Sequence, residues 1–282
     1  MGSLSGTNDI PALPVSQIRG KGDTEAMDAL AALALQIEWG ADEALDEAPV
    51  DRTRMVTKPA KPPAPMVAQA PSPPPASPAR PAPVARAQSI AAGAGTLEDL
   101  RTALAAFTDC PLAATATNLV FCDGNPASGL VFVGEAPGAE EDMQGKPFVG
   151  ASGQFLDRML AGIGLDRSKY LITNLIPWRP PGNRAPTDAE VLMCLPFLQR
   201  HLTLLRPRIV VTLGALSTHA LTGTDTGIRK LRGKWRTLAL PGLDPAPRLL
   251  PMLHPAYLLR TPGAKRETWQ DLLTLKKATE EG

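Results

Sequence analysis

Cysteine is scarce in this chain of 282 residues, and none of it is arranged in pairs. Cys110, Cys122 and Cys194 form no CxxC motif, which argues against a disulfide framework and for a reducing compartment. Long apolar runs are missing as well. No stretch reaches the roughly 20 residues that a membrane-spanning helix needs, so no membrane partner is expected. The amino terminus lacks a charged-then-apolar secretory pattern, and a cytoplasmic location is the expectation. Charge of one sign is not in excess either, the formal net charge being +1, which does not advertise nucleic acid. The one glycine-rich turn that follows a strand, residues 134–138, has neither the GxGxxG nor the Walker spacing. That excludes a phosphate-cradling nucleotide site.

What is present is unevenly distributed. The first fifty residues are acidic, whereas residues 179–266 are rich in Arg and Lys, so a basic face is compatible with a near-zero total. Residues 58–87 contain eleven prolines among Ala, Ser, Lys and Arg, the composition of a semi-extended linker. Before it, Met27, Leu30, Leu33, Leu35, Ile37 and Trp39 recur at helical spacing, with Asp23 or Thr24 to cap and Gly40 to stop. The expected organisation is an extension over 1–57 with one short amphipathic helix at about 24–39. A disordered Pro/Ala-rich linker follows over 58–95, then a folded domain over 96–282. Alone, the 24–39 helix cannot bury its apolar face, so it docks either on the domain or on a protein partner.

Within the domain, strand and helix alternate. Residues 96–107 are expected to be helical, with Thr96 and Asp99 spaced as a capping box. Strands are expected at 130–133, 170–175, 208–213, 235–240 and 249–253, and helices at 153–163, 188–205, 215–221 and 264–278. Alternation with short connections predicts an α/β fold, a three-layer α/β/α sandwich around a mainly parallel four-stranded sheet.

A parallel sheet gathers the carboxyl ends of its strands at one edge, where open α/β folds build their sites. The first strand ends in Gly134 and presents Glu135 on a turn stiffened by Pro137 and Gly138. Three acids (Glu140, Glu141, Asp142) and then Phe148 follow. The second strand ends in Thr173-Asn174, the third in Leu213-Gly214, and the last in Leu253-His254-Pro255. An acid, an amide, an aromatic ring and an imidazole can therefore converge.

These residues resemble the uracil-DNA glycosylase superfamily, most closely its family 4. The resemblance rests on Gly134-Glu135-Ala136-Pro137-Gly138, Glu141-Asp142, Gly145-Lys146-Pro147-Phe148-Val149-Gly150, Thr173-Asn174, Arg179-Pro180-Pro181-Gly182-Asn183-Arg184, Arg232-Gly233-Lys234-Trp235 and the run His254 to Arg260, in family order. It implies an enzyme that flips uracil out of DNA and hydrolyses its N-glycosidic bond without cutting the strand. Glu135 is then the residue that handles the attacking water, and His254 the stabiliser of charge near O2 of the base. Phe148 becomes the stacking platform and Asn174 the reader of O4 and N3–H. Backbone amides of Gly134 and Ala136 add contacts, and Glu141 crowds C5 to exclude thymine. Arg184, Arg232, Lys234 and Arg260 meet DNA phosphates, and Leu258 or Leu259 wedges into the duplex. The alternative is a binding module of the same fold that holds uracil or damaged DNA with little turnover. A monomer is expected.

The resemblance also implies a 4Fe–4S cluster on four cysteines, and here the chain departs from it. The four positions hold Phe107, Cys110, Trp178 and Cys194, so two of four thiolate ligands remain. The expectation is therefore no metal and no cofactor, with Phe107 and Trp178 filling the space. A basic insertion with a reactive histidine, found in relatives that trap DNA covalently, is absent from 227–235, which favours turnover.

Overall fold

The computed structural model describes residues 82–281. The expected 24–39 helix and the proline-rich stretch to residue 81 lie outside the described residues. The linker ends earlier than its composition suggests. Helix α1 (Pro83–Gly93) starts with proline in its first turn, where the missing N–H costs nothing. Its buried Ala87 and Ala91 form a small-residue face. Helix α2 (Leu97–Ala105) carries the expected capping box: Asp99 N–H donates to Thr96 Oγ1 at 3.1 Å, and Thr96 N–H to Asp99 Oδ2 at 2.9 Å. The short α3 (Pro111–Thr115) follows.

The chain then runs through β1 (Cys122–Gly124), β2 (Leu130–Gly134), α4 (Ala139–Gln144), α5 (Ala151–Ala161), β3 (Leu171–Asn174), α6 (Asp188–Leu205), β4 (Ile209–Leu213) and α7 (Ala215–Thr222), of which β1 and α4 add to the expected elements. It finishes with α8 (Ile228–Leu231), β5 (Arg236–Thr237), β6 (Arg248–Met252), α9 (Pro255–Arg260) and α10 (Lys265–Glu280). The six strands lie in the order β1-β3-β2-β4-β6-β5. The central four are parallel and are the four that the apolar runs predict. Two short antiparallel strands, β1 and β5, flank them. The strand expected over 235–240 shrinks to the two residues of β5.

The central strands are buried along almost their whole length, as sheets covered on both faces require. Alternate side chains feed two separate cores. Val131, Val133, Leu171 and Val210 point to a core shared with Ala87, Leu100, Phe197 and Leu202 of α1, α2 and α6. Leu130, Phe132, Ile172 and Val211 point to the other face, against Leu156, Leu160, Leu272 and Leu275 of α5 and α10. This period-two partition makes the three layers. Helix α1 belongs to the first layer: it packs on α6, and Arg200 of α6 donates to the Ala94 carbonyl from Nε at 2.9 Å and Nη2 at 2.6 Å.

Candidate active site

The parallel register brings the strand ends to one line. Gly134 pairs with Asn174 across β2 and β3, and Leu213 with Met252 across β4 and β6. Just beyond them lies a cleft of about 760 Å³, lined by Glu135, Phe148, Asn174, Gly214, His254 and Arg260 together with the 180–186 loop. The four chemistry-bearing residues expected to converge do so.

Gly134 matters for what it lacks. A Cβ there would lie 2.4 Å from Asn174 Oδ1 and 2.5 Å from Cζ of Phe148, so only glycine lets the amide and the ring close over the strand end. It does not itself line the cleft, whereas Ala136 does. Asn174 is buried, and its Oδ1 has no hydrogen-bond partner. The Phe148 ring sits 5.9 Å, centroid to centroid, from the imidazole of His254. Phe148 adopts φ +55, a conformation that bulky residues rarely hold.

His254 is the N-cap of α9, so the run that follows it, Pro255–Arg260, is helical. The Ala256 N–H donates to its Nδ1 at 3.1 Å. Burial, assisted by the positive charge of Arg260, pushes its pKa down to about 4. The ring is therefore neutral at pH 7, and with Nδ1 accepting, its proton sits on Nε2. The Glu135 carboxyl is shifted the other way. Burial raises its pKa, partly offset by a hydrogen bond from the Leu216 backbone at the start of α7 and by Arg260. An anion at a helix N-terminus in a partly dry cleft suits a general base.

Several expected roles change. The Glu141 carboxylate is committed to backbone, accepting from Gly138 N–H at 3.1 Å and Gly150 N–H at 2.8 Å. It lines the cleft and at the same time braces two loops, a commitment that its expected place beside C5 of the base does not include. Arg232 is not a phosphate contact: Nε and Nη2 donate to Asp271 at 2.9 and 2.7 Å, and Nη2 also to the Glu267 carbonyl, which ties α8 to α10. Arg184 makes a fork with Glu190 at 2.9 and 2.6 Å and anchors the 180–186 loop on α6. Leu258 is fully buried against Leu253 and Ala264, which leaves the 41% exposed Leu259 as the wedge candidate. Lys234 and Arg260 are exposed.

Two contributors have no role in the sequence reading, although Gly214 is named there as a strand end. Gly214 caps α7 at φ +104, beside both Glu135 and His254. Arg167 donates from Nη2 to the Phe148 carbonyl at 2.7 Å. A strand–Gly–helix junction signals the first; nothing local signals the second.

At the four cluster positions, the residues do not fit a cubane. Phe107 and Trp178 are buried side chains of the core, and Phe107 lies 5.1 Å from the ring of Phe197. Cys110 and Cys194 are both buried, with their thiols within hydrogen-bonding reach of each other. That contact and burial push Cys194 well above the usual thiol range. Among the described residues, no three His, Cys, Asp or Glu side chains are grouped to share a metal ion. Nor, among them, is any helix long and apolar enough to cross a membrane.

Comparison with known proteins agrees with this geometry. The family model of the uracil DNA glycosylase superfamily matches residues 121–273. A type-4 uracil-DNA glycosylase of Saccharolobus solfataricus is 39% identical over 174 residues, covering 60% of this chain and 80% of that protein. One from Archaeoglobus fulgidus is 38% identical over 180 residues, 62% of this chain and 89% of its own. One from Thermotoga maritima is 40% identical over 157 residues, 54% and 78% respectively. With more than half of its length matched by the family model, and with its motif residues gathered around one cleft, the chain belongs to the uracil-DNA glycosylase superfamily.

Proposed function

We propose that this chain is a monofunctional uracil-DNA glycosylase that leaves an abasic site and so begins base-excision repair. The observation that carries the reading is the orphaned Oδ1 of Asn174. A buried acceptor without a donor is costly, and a base that supplies N3–H removes that cost. Uracil presents N3–H beside the O4 acceptor, which suits the two ends of one amide. Cytosine presents an acceptor at N3 and a donor at N4, and would leave both ends opposed.

The remaining chemistry follows from charge. As the C1′–N1 bond breaks, its electron pair stays on uracil and the sugar becomes cationic. The Nε2–H of neutral His254 donates to the developing oxyanion at O2 without first losing a proton to water. Glu135 stabilises the cationic sugar and orients water, whose oxygen bonds to C1′ while its proton passes to the carboxylate. Phe148 stacks on the flipped base, which gives affinity independent of the pairing edge. The two lysines of the motif segments, Lys146 and Lys234, do not line the cleft and so offer no Schiff-base nucleophile there, which supports hydrolysis without strand cleavage. Leu259 fills the vacated stack, and Lys234 and Arg260 meet phosphates. The work proceeds without a cluster, because two thiols beside two apolar side chains make a core and not a ligand set.

The test is excision from an end-labelled oligonucleotide with one uracil, followed by alkali. Cleavage that appears only after alkali is expected. Binding of the uracil strand with no cleavage would replace the enzyme by a uracil-binding module.

A further inference from the structure

The strained backbone of Phe148 has a built support on the side away from the cleft. The Arg167 guanidinium donates from Nη2 to the Phe148 carbonyl at 2.7 Å and from Nη1 to the Pro147 carbonyl at 3.4 Å. Its orientation is fixed by three further neighbours, Asp157, Asp123 and Tyr170. Asp157 of α5 accepts from Nε at 2.9 Å and from Nη2 at 3.2 Å, and Asp123 of β1 accepts from Nη1 at 3.2 Å. The guanidinium lies 5.8 Å from the ring centroid of Tyr170, whose buried hydroxyl donates to Asp157 at 2.8 Å. Gly153 completes the seat, since a Cβ there would lie 1.9 Å from the Phe148 carbonyl oxygen.

The geometry has a direction. Arg167 grips the backbone of the 147–148 segment, while the Phe148 ring reaches back over Gly134 toward Asn174 and His254. A residue at φ +55 persists only where its surroundings over-determine it. A planar fork that binds two successive carbonyls and two carboxylates supplies that; a single ammonium cannot. Arg167 does not line the cleft, so it touches no substrate.

Resting on the reading of Phe148 as the stacking platform, we infer that Arg167 is the positioning residue of the base-stacking ring. It holds that ring at the height and tilt that a flipped pyrimidine needs, and Asp157 and Asp123 hold Arg167. The platform is thus tied to the edge strand β1 and to α5, and the fit of the base depends on residues that never meet it.

The test uses the full chain and two inhibitors of single-turnover excision, free uracil and an oligonucleotide carrying an abasic site. Arg167→Lys is expected to weaken inhibition by free uracil about tenfold, as befits loss of much of one stacking contact. Inhibition by the abasic strand should stay within about twofold, because phosphate contacts carry it. A merely structural role would lower the folded fraction and leave both inhibition constants unchanged. In a Phe148→Ala background, Arg167→Lys should add nothing further, since coupled residues do not act additively. Should Arg167→Lys fail to fold, Asp123→Asn loosens the same guanidinium from the edge strand and should shift uracil inhibition in the same direction. An unchanged uracil constant in the variant that folds, or effects of Arg167 and Phe148 that simply multiply, would overturn the inference. A wild-type chain that does not excise uracil would overturn the function itself, and the inference with it.

Discussion

A Cβ at Gly214 would lie 2.5 Å from Oε1 of Glu135, so the carboxylate occupies the volume that any other residue would fill. Gly214 also stands at φ +104 and opens α7, whose Leu216 backbone hydrogen-bonds the same carboxylate. One glycine therefore sets both the space and the helix end that hold the base.

Gly214→Ala is expected to do two things at once. Strain at positive φ should cost about 1–3 kcal/mol of stability. Displacing the carboxylate by a fraction of an ångström to an ångström should slow excision on the order of 100-fold. Thermal unfolding and single-turnover excision read the two effects separately. Lost stability with an unchanged rate would detach Gly214 from the position of Glu135.

Glu135→Gln should slow excision by about 10²–10⁴, the usual contribution of a general base. The wild-type rate should rise with pH through a pKa above the ordinary carboxylate value, because burial raises Glu135 and only its anion accepts a proton. His254, at about 4, stays neutral above that limb and adds no second one near pH 7. The same shift bears on stability. A carboxyl whose folded pKa is raised gives stability that is full below its unfolded pKa and lost as pH climbs through the folded value. Glu135→Gln should therefore unfold at a higher temperature than wild type at pH 7, with the gain shrinking at low pH. A variant both slow and less stable at pH 7 would mean that the carboxylate is not held at a cost.

Elements legible in the sequence are those that local chemistry specifies. Thr96 and Asp99 spell their cap, the apolar runs spell four buried strands, and a parallel sheet then obliges Glu135, Asn174 and His254 to meet. Lost in the sequence were relationships decided by distant partners. Arg232 carries the same charge as an exposed phosphate-binding arginine until Asp271 of α10 claims it. Glu141 looks like one of three solvated acids until the N–H groups of Gly138 and Gly150 are seen to converge on it. The start of α1 was hidden by composition, because alanine and proline suit a linker and a tightly packed first helical turn equally well.

The two adjacent leucines of α9 separate folding from DNA engagement. Leu258→Ala should cost about 2–5 kcal/mol, since it empties a fully buried site among Leu253 and Ala264. Leu259→Ala should leave unfolding within about 0.5 kcal/mol of wild type, as exposed positions do. Its excision from duplex DNA should fall further than from a single strand, where no vacated stack needs filling. Equal losses on both substrates would remove Leu259 from the wedge role.

At the two-thiol site, the expected preparation is colourless and free of iron, and prolonged chelation should not alter excision. Trp178→Cys adds a thiol but removes a buried indole, and should cost roughly 3–5 kcal/mol of stability in unfolding measurements. Stoichiometric iron in the wild-type protein, measured by elemental analysis, would show ligands other than those at the four aligned positions.

Selectivity is the most direct probe of the site, because in the proposed reading a single amide, that of Asn174, carries it. Asn174→Asp exchanges an amide for a carboxyl. Its anion accepts at both oxygens and faces O4 of uracil with like charge, so uracil excision should fall by about 10²–10⁴. When protonated, the same carboxyl donates to N3 of cytosine and accepts from N4–H₂, the reverse of the amide's pattern. Cytosine excision should therefore emerge and gain on uracil excision as pH falls, although protonation of Glu135 slows both. The useful measurement is the ratio of cytosine to uracil excision at each pH, from which the shared dependence on Glu135 cancels. That ratio should climb as pH falls. A flat ratio equal to the wild-type value would mean that Asn174 does not read the pairing edge.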